Sequence, residues 1–567
     1  LTPTSPSIPR DWTTYLCDSL EKIFPDTKPR PLPEAFTFST WRGGRVSLQV
    51  AILPPDVTTG AVVPHPPEGL LPGVVTTPRT GAGITAKVSS VDLVPARFLA
   101  FENHDDNYLR DDAGLWPDPL RPLGDGGATK VFVGQWQAVW IDFIVTADAP
   151  LGRQSVEIAL ATSTGQDLGS HTVSLDIHAL DLAPLSIPVT QWMHCDCIAQ
   201  YYGIEPFSGA FWTSVEAYAK AAAEIGITSL LAPVWTPVLD TAVGAQRLTC
   251  QLLGIAADAQ GHYDFDFSLL RRWLGIMHDA GLQQIEIAHF FTQWGAEATP
   301  PIYVTRNGAT TREFGWDVPA TDPSYRKLLE QLVPALREVL DAEWGLDRVI
   351  FHISDEPTAA MAPTYRAAKN VVADLLDGCT IVDAMSAFSL FEEGIVDTPV
   401  VATNHAAPFI EAGVDNMWLY YCVGQNRDVA NRFFAMPPSR NRVFGSQLFV
   451  TKAAGFLHWG FNFYNTYLSK RALDPFLEPD AGGAFPAGDP FIVYPGPDYT
   501  VWHSTRGMVF GEALEDLRLM QALEERKGRE AVLDLIDPER TMSLSHYPTD
   551  PVFYLDLRNA LVAALAA

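Results

Sequence analysis

The sequence predicts a multidomain protein, an N-terminal β-sandwich followed by a (β/α)8 TIM barrel. Three observations predict it. The first 185 residues hold short β-branched runs separated by Gly, Pro, Asp and Asn clusters. From residue 187 onward, apolar strand-like runs alternate with helical patterns. No Gly-x-Gly-x-x-Gly follows any of those runs, which favours a closed barrel over an open doubly wound sheet.

The elements follow in order. In the first part, residues 45–53, 130–133, 138–145, 154–162 and 172–178 read as strands. Residues 58–83, dense in Pro, Gly and Thr, read as a long surface loop. Pro184 and Pro188 mark the junction, which gives a sandwich domain over 1–185. Eight strand-like runs come next, at 189–195, 227–234, 284–291, 348–354, 380–384, 399–403, 416–422 and 456–463. Ser208 and Asp322 stand where they would cap helices at 211–225 and 323–344. A further helix is expected at 439–454. Residues 247–267, in which Asp264 and Asp266 alternate with aromatics, read as a hairpin inserted after the second strand. A Pro/Gly-rich connection at 470–503 precedes the last barrel helix at 504–527. The barrel domain then spans 186–530, with 531–567 a tail packed on it.

Charge and composition narrow the partners. With 567 residues and 47% hydrophobic content the chain can bury a large core. Its 67 Asp and Glu against 39 Lys and Arg give a net charge of −28. Such a surface repels phosphate backbones and anionic lipids, so neither nucleic acid nor membrane is an expected partner. No apolar run approaches the roughly 18 residues of a membrane span. Residues 1–9 show neither the basic start nor the apolar core of an export signal. The compartment stays open, with the cytoplasm preferred. Six cysteines are too few for a disulfide scaffold. Cys195 and Cys197 flank Asp196 beside His194, but further ligands at zinc-site spacing are missing. They read as buried thiols on the outward face of a strand. No metal and no cofactor are expected, and the oligomeric state is open.

A barrel enzyme carries its chemistry at the C-terminal ends of its strands. Those ends hold Trp192, His194 and Asp196; Trp235 and Asp240; Glu286, His289, Gln293 and Trp294. The later strands add His352, Asp355 and Glu356; Trp418, Tyr420 and Tyr421; and His458, Trp459, Asn462, Tyr464 and Asn465. Aromatic rings beside carboxylates and amides suit a sugar, which has apolar faces and a hydroxyl rim. Asp355 and Glu356 stand out, because two acids ending an apolar strand are costly unless hydrogen-bonded, solvated or functional. Strand alternation would send them to opposite faces, so both reach one pocket only if the strand ends there. Pro357 supports that ending. A solvated pair, or an acid capping the next helix, is the plainer reading.

The run FHISDEP at 351–357, with FLHWGFNFYN at 456–465, GDPFIVYPG at 488–496 and STRGMVFGEALEDLR at 504–518, resembles glycoside hydrolase family 123. YLRDDAGLWPDPL at 108–120, followed by the strand at 136–140, resembles the sandwich domain of that group. The resemblance implies an exo-acting β-N-acetylgalactosaminidase that attacks oligosaccharide or glycoconjugate substrates by substrate-assisted, retaining catalysis. Carried over, Asp355 orients the 2-acetamido group and Glu356 is the general acid/base. Trp459, Asn462 and Tyr464, in the last matching strand motif, are the preferred sugar contacts. His194, Asp196, His289, Trp294 and Tyr420 are the other candidates. Glu356 is then expected in a partly apolar setting that favours its proton, with Asp355 ionised. Glu286 lies mid-strand and is expected to be paired inside the barrel, and Arg506 to tether a loop. Two alternatives stand beside this. One is a glycosidase of non-acetamido sugars that pairs Glu356 with Glu286 or Asp196. The other is a carbohydrate-binding protein on an inactive barrel.

Overall fold

The computed structural model of the protein describes residues 11–55 and 72–567. Residues 1–9, read for an export signal, and 58–71 of the expected loop lie outside the described residues.

Alternating burial builds the first part. In Gly152–Thr162 the side chains of Val156, Ile158 and Leu160 are buried while their neighbours are not. They share one apolar cluster with Leu48 and Val50 of Arg45–Leu53 and with Val139, Ile141 and Phe143 of Gln137–Val145. Two largely antiparallel sheets, of five and seven strands, thus pack through a common core. Each such side chain contributes roughly 1.5–3 kcal/mol by leaving water. Part of the expected 58–83 loop is instead the strand Val74–Arg79, in which Thr76 faces Leu160 of Gly152–Thr162. Residues 130–133 are no strand; Val131 reaches the core from an irregular segment. The strand Gly114–Pro122 escapes sequence reading because it holds Pro117, Pro119 and Pro122, which argue against a ladder.

The seven-stranded sheet is finished by residues from far along the chain. Val501–Ser504 pairs antiparallel with Gly114–Pro122, His503 opposite Leu120, and Val493–Pro495 forms the outer edge. Arg506 fastens this junction by pairing with Asp118 at 2.9 Å and donating to the carbonyls of Gly488 and Phe491.

The rest of the chain forms a nearly closed barrel of parallel strands. Their order is Thr380–Ile381, Val349–Phe351, Gln284–Ile287, Ser229–Ala232, Val189–Gln191, Gly455–His458, Trp418–Tyr420, Pro399–Ala402 and Asp383–Met385. The first and last of these are consecutive in sequence, with Val382 alone between them. The sheet therefore curls until its two edges meet in one stretch of chain. Each of the eight expected runs overlaps a strand, but the strands are shorter. Val189–Gln191 stops early, and Cys195 and Cys197 lie buried in the helix Cys195–Tyr202 rather than on a strand.

Caps fix the helices that space the strands. Ser208, Asp322 and Ser504 accept from the N–H groups of Phe211, Ser324 and Gly507, each worth about 1 kcal/mol. The expected 439–454 helix is two pieces, Pro438–Arg442 and Phe444–Val450. The predicted hairpin is Gly254–Ala257 with Tyr263–Asp266. A second hairpin, Ile302–Arg306 with Ala309–Phe314, joins it through Ala256 and Thr305. In the tail, Arg558 of Pro551–Ala566 pairs with Glu515 and Asp516 of Thr505–Lys527. Among the described residues no helix is long and apolar enough to cross a membrane.

Candidate active site

The strand Val349–Phe351 continues as an irregular extension that neighbouring chain pins on both sides. Phe290 and Phe291 donate their N–H groups to the carbonyls of His352 and Ile353, and Trp294 donates to that of Asp355 at 2.9 Å. On the opposite side Asp383 accepts from the N–H groups of Ile353 and Ser354, and Glu356 donates to Ala384. The extension ends at Glu356, whose φ is 45°. A left-handed backbone is unfavourable for a residue with a side chain, and it breaks the in-out alternation of a strand. This turn is why both acids face the same cleft. Trp294 opposite is left-handed as well, at φ 57°.

The cleft has a volume of about 410 Å³, within the ~300–1,000 Å³ usual for small-molecule sites. Its polar groups are Asp355, Glu356, Asp240 and Gln293, and its walls include Trp192, Trp294, Tyr420, Trp459, Tyr467 and Phe485. Tyr420 donates to Glu356 Oε1 at 2.6 Å. Asp240, also left-handed at φ 43°, is held by Gln293, which accepts its N–H at 2.6 Å. Leu468 N–H donates to Asp240 Oδ2 at 3.1 Å.

Of the expected sugar contacts, Trp294, Tyr420 and Trp459 line the cleft. His194, Asp196, His289, Asn462 and Tyr464 are buried and do not line it. That corrects the expectation of direct contact for these five. Arg247 binds Asp196 through two nitrogens, at 2.7 and 2.6 Å, and also donates to His194 Nδ1 at 3.0 Å. With Nδ1 accepting, His194 Nε2 donates to the Trp459 carbonyl at 2.9 Å and the ring is neutral. Burial and the Arg247 charge push its proton affinity down to about 3. Asn462 clamps the His194 backbone from both sides, accepting its N–H at 2.8 Å and donating to its carbonyl at 3.1 Å. Tyr464 donates to the Val493 carbonyl at 2.9 Å. These residues therefore shape the wall that carries Trp459.

Sequence reasoning placed Asp240 at the end of the second strand's run but did not choose it as a site residue, although an acid there is itself a signal. Tyr467 and Phe485 carry no such signal, because they come from the connection after the last strand. Glu286 is wholly buried and receives Trp192 Nε1–H at 2.7 Å, so neither it nor Asp196 lines the cleft.

Protonation departs from expectation. Burial and the adjacent Glu356 charge push the Asp355 carboxyl well above the usual carboxylate range, and His352 pulls it back. Burial likewise raises Asp240 to about 7. His289, His352 and Asp383 bring ligand-type atoms within 4.8 Å of one another. The two rings are stacked, 4.2 Å apart and 18° from parallel. A metal ion lies in the plane of each imidazole that binds it, so this pair does not converge on one ion.

Comparison with known proteins settles the class. The family profile described as Glycoside hydrolase 123, catalytic domain, matches residues 192–523. The chain belongs to glycoside hydrolase family 123. The matched family 123 segment contains every residue that lines the cleft. Among solved structures, a family 123 glycoside hydrolase from Clostridium perfringens, studied for glycolipid glycan hydrolysis, aligns with a TM-score of 0.70 at 14% identity. That alignment covers 98% of this chain and 97% of the other. An endo-β-1,4-mannanase from Thermotoga petrophila aligns at TM-score 0.33 and 11% identity, over 59% of this chain and 77% of its own. A β-glucuronidase from Parabacteroides merdae aligns at 0.28 and 9%, over 91% and 52%. No curated protein matches in sequence. The protein is thus a glycoside hydrolase with a carbohydrate substrate.

Proposed function

We propose that this family 123 member is an exo-acting β-N-acetylhexosaminidase that releases terminal β-linked N-acetylgalactosamine by substrate-assisted, retaining catalysis. The observation that carries the reading is the turn at Glu356, which aims two adjacent acids into one aromatic-walled cleft. Adjacent acids are too close to flank a sugar from opposite faces. They suit a reaction in which the substrate's own acetamide is the nucleophile.

In that reaction Glu356 carries a proton and Asp355 is ionised. Asp355 accepts the acetamide N–H and raises the nucleophilicity of its carbonyl oxygen. That oxygen forms a bond to the anomeric carbon as the glycosidic bond breaks, and Glu356 passes its proton to the departing oxygen. Glu356, now a carboxylate, takes a proton from water, which opens the cyclic intermediate and returns the β-configured sugar. Tyr420 orients Glu356, and Trp459 and Trp294 supply apolar faces to the ring.

For organisation we read 1–185 as a β-sandwich domain, 186–530 as a (β/α)8 catalytic barrel and 531–567 as a tail packed on it. The Clostridium perfringens relative was studied for glycolipid glycan hydrolysis, so glycolipid glycans are the natural substrates to try first. Asp240 favours a second reading, because it is a third carboxyl in the cleft and would pair with Glu356 in a two-carboxylate mechanism. Parallel assays of aryl β-GalNAc, β-GlcNAc and β-galactoside separate the two. Cleavage of the acetamido sugar with the β-galactoside inert supports the acetamide route. Comparable turnover of both overturns it.

A further inference from the structure

Part of the cleft wall is held in place from the seven-stranded sheet. The connection between its strands Ile84–Ala96 and Gly114–Pro122 lies against two loops of the barrel. One loop, residues 422–436, follows the strand Trp418–Tyr420 and gives Cys422 and Val423 to the cleft. The other, residues 480–488, gives Ala484 and Phe485.

Side chains tie the first loop. Tyr108 donates its hydroxyl to the Asn426 carbonyl at 2.6 Å. Asp105 accepts the Asp428 N–H at 2.6 Å and binds Arg440 through both oxygens, at 2.8 and 2.6 Å. Arg440 is wholly buried and also donates to the carbonyls of Val429 and Asn107, so one guanidinium joins loop and connection. Asp428 is left-handed, at φ 60°, a conformation that a residue with a side chain keeps only where its surroundings fix it. Inside the loop the tie runs on to the cleft. Gln425 Oε1 accepts the Cys422 N–H at 2.9 Å, and Asn431 donates to the carbonyls of Cys422 and Gln425 at 2.8 and 2.9 Å. The second loop is tied by backbone, since the Phe98 carbonyl accepts the Ala487 N–H at 2.8 Å. Phe434 N–H donates to the Ala487 carbonyl and links the two loops.

We propose that Tyr108 and Asp105 are positioning residues for the glycosidase reaction, fixing the 422–436 loop and through it the wall that receives the substrate. Cys422 and Val423 carry no reacting group in the steps above, so they act on bound substrate and transition state alike. A loss of such uniform binding appears in KM and not in kcat.

Tyr108→Phe deletes one hydrogen bond and keeps the ring beside Arg440. On whichever aryl glycoside the wild-type enzyme cleaves, we expect KM to rise about three- to tenfold, the weight of one hydrogen bond. The kcat should stay within about twofold, and Asp105→Asn in the same chain should raise KM further. A fall in kcat at unchanged KM marks a loss of folded enzyme alone and overturns the proposal. Both constants within about twofold of wild type in the double variant overturn it too. Amide hydrogen exchange gives a second reading that needs no substrate. In Tyr108→Phe, exchange should quicken at residues 422–432 and stay unchanged in the barrel strands. Unchanged exchange in that loop overturns the proposal. The acetamide reading fails separately, through the β-galactoside assay.

Discussion

The hydroxyl of Tyr420 donates a 2.6 Å hydrogen bond to Oε1 of Glu356, joining the strand Trp418–Tyr420 to the extension that follows Val349–Phe351. Glu356 stands at a left-handed turn, so its side chain depends on this partner for its aim. A hydrogen bond to a charged group is worth about 1.5–3 kcal/mol. Tyr420→Phe should therefore lower kcat/KM by roughly 10- to 100-fold, with the thermal midpoint little changed. A variant within twofold of wild type would show that Glu356 needs no such guide.

Glu356→Gln should separate substrates by leaving group. Natural glycosides depart as alkoxides and need its proton, whereas a nitrophenolate departs without much help. The loss should be far larger on an oligosaccharide than on a nitrophenyl glycoside. Equal losses on both would remove Glu356 from the role of general acid.

Asp355→Asn should hurt both substrate types alike, by about 10²–10³ in kcat, because the cyclising acetamide loses its charged partner in each case. Near-normal turnover of aryl β-GalNAc by this variant would falsify the substrate-assisted mechanism.

Asp240 should make stability depend on pH. Burial raises its carboxyl to about 7 from an ordinary value near 4. Between these values the folded protein binds more protons at this site than the unfolded chain does, so stability falls as pH rises through the window. Asp240→Asn removes the penalty. Its thermal midpoint should exceed wild type at pH 8, and the gain should shrink toward zero near pH 4. Asn still accepts the Leu468 N–H, so the loop stays anchored. A gain independent of pH would assign the effect to something other than charge.

Arg247 neutralises Asp196 in a buried pair, 2.6 Å apart, and holds His194 in place. Arg247→Met leaves Asp196 without a partner in a dry setting, which costs about 3–5 kcal/mol. A lower thermal midpoint should appear, and Asp196→Asn in the same chain should restore part of it. No recovery would place the cost in lost packing instead.

The barrel strands were legible because buried parallel strands read as apolar runs, and Asp355 and Glu356 because acids seldom end such runs. The direction of individual side chains was not legible. His194 and Asp196 looked like mouth residues on the assumption that their strand reached Cys195. It stops at Gln191, and neither residue, in the turn and helix that follow, lines the cleft. Asn462 and Tyr464 sat in the right motif, but their hydrogen bonds run to His194 and Val493, partners far away in sequence. Tyr467 and Phe485 reach the cleft through loop geometry that periodicity does not encode. The raised carboxyl of Asp355 depends on Glu356 and on burial together, and no local pattern reports burial.

The pairing of Val501–Ser504 with Gly114–Pro122 bears on how the protein comes to exist on the ribosome. Asp118 and its partner Arg506 are 388 residues apart. At about 5–20 residues per second, the nascent chain carries an unmated sheet edge for roughly 20–80 s before its closing strand emerges. An open edge is a template for pairing with other chains. During that interval the prolines of Gly114–Pro122, which withhold ladder donors, blunt the edge against wrong neighbours. The same arithmetic warns against dividing the gene at the sandwich–barrel junction. A fragment beginning at the barrel would keep Val493–Pro495 and Val501–Ser504 but lose the strand they were made to join.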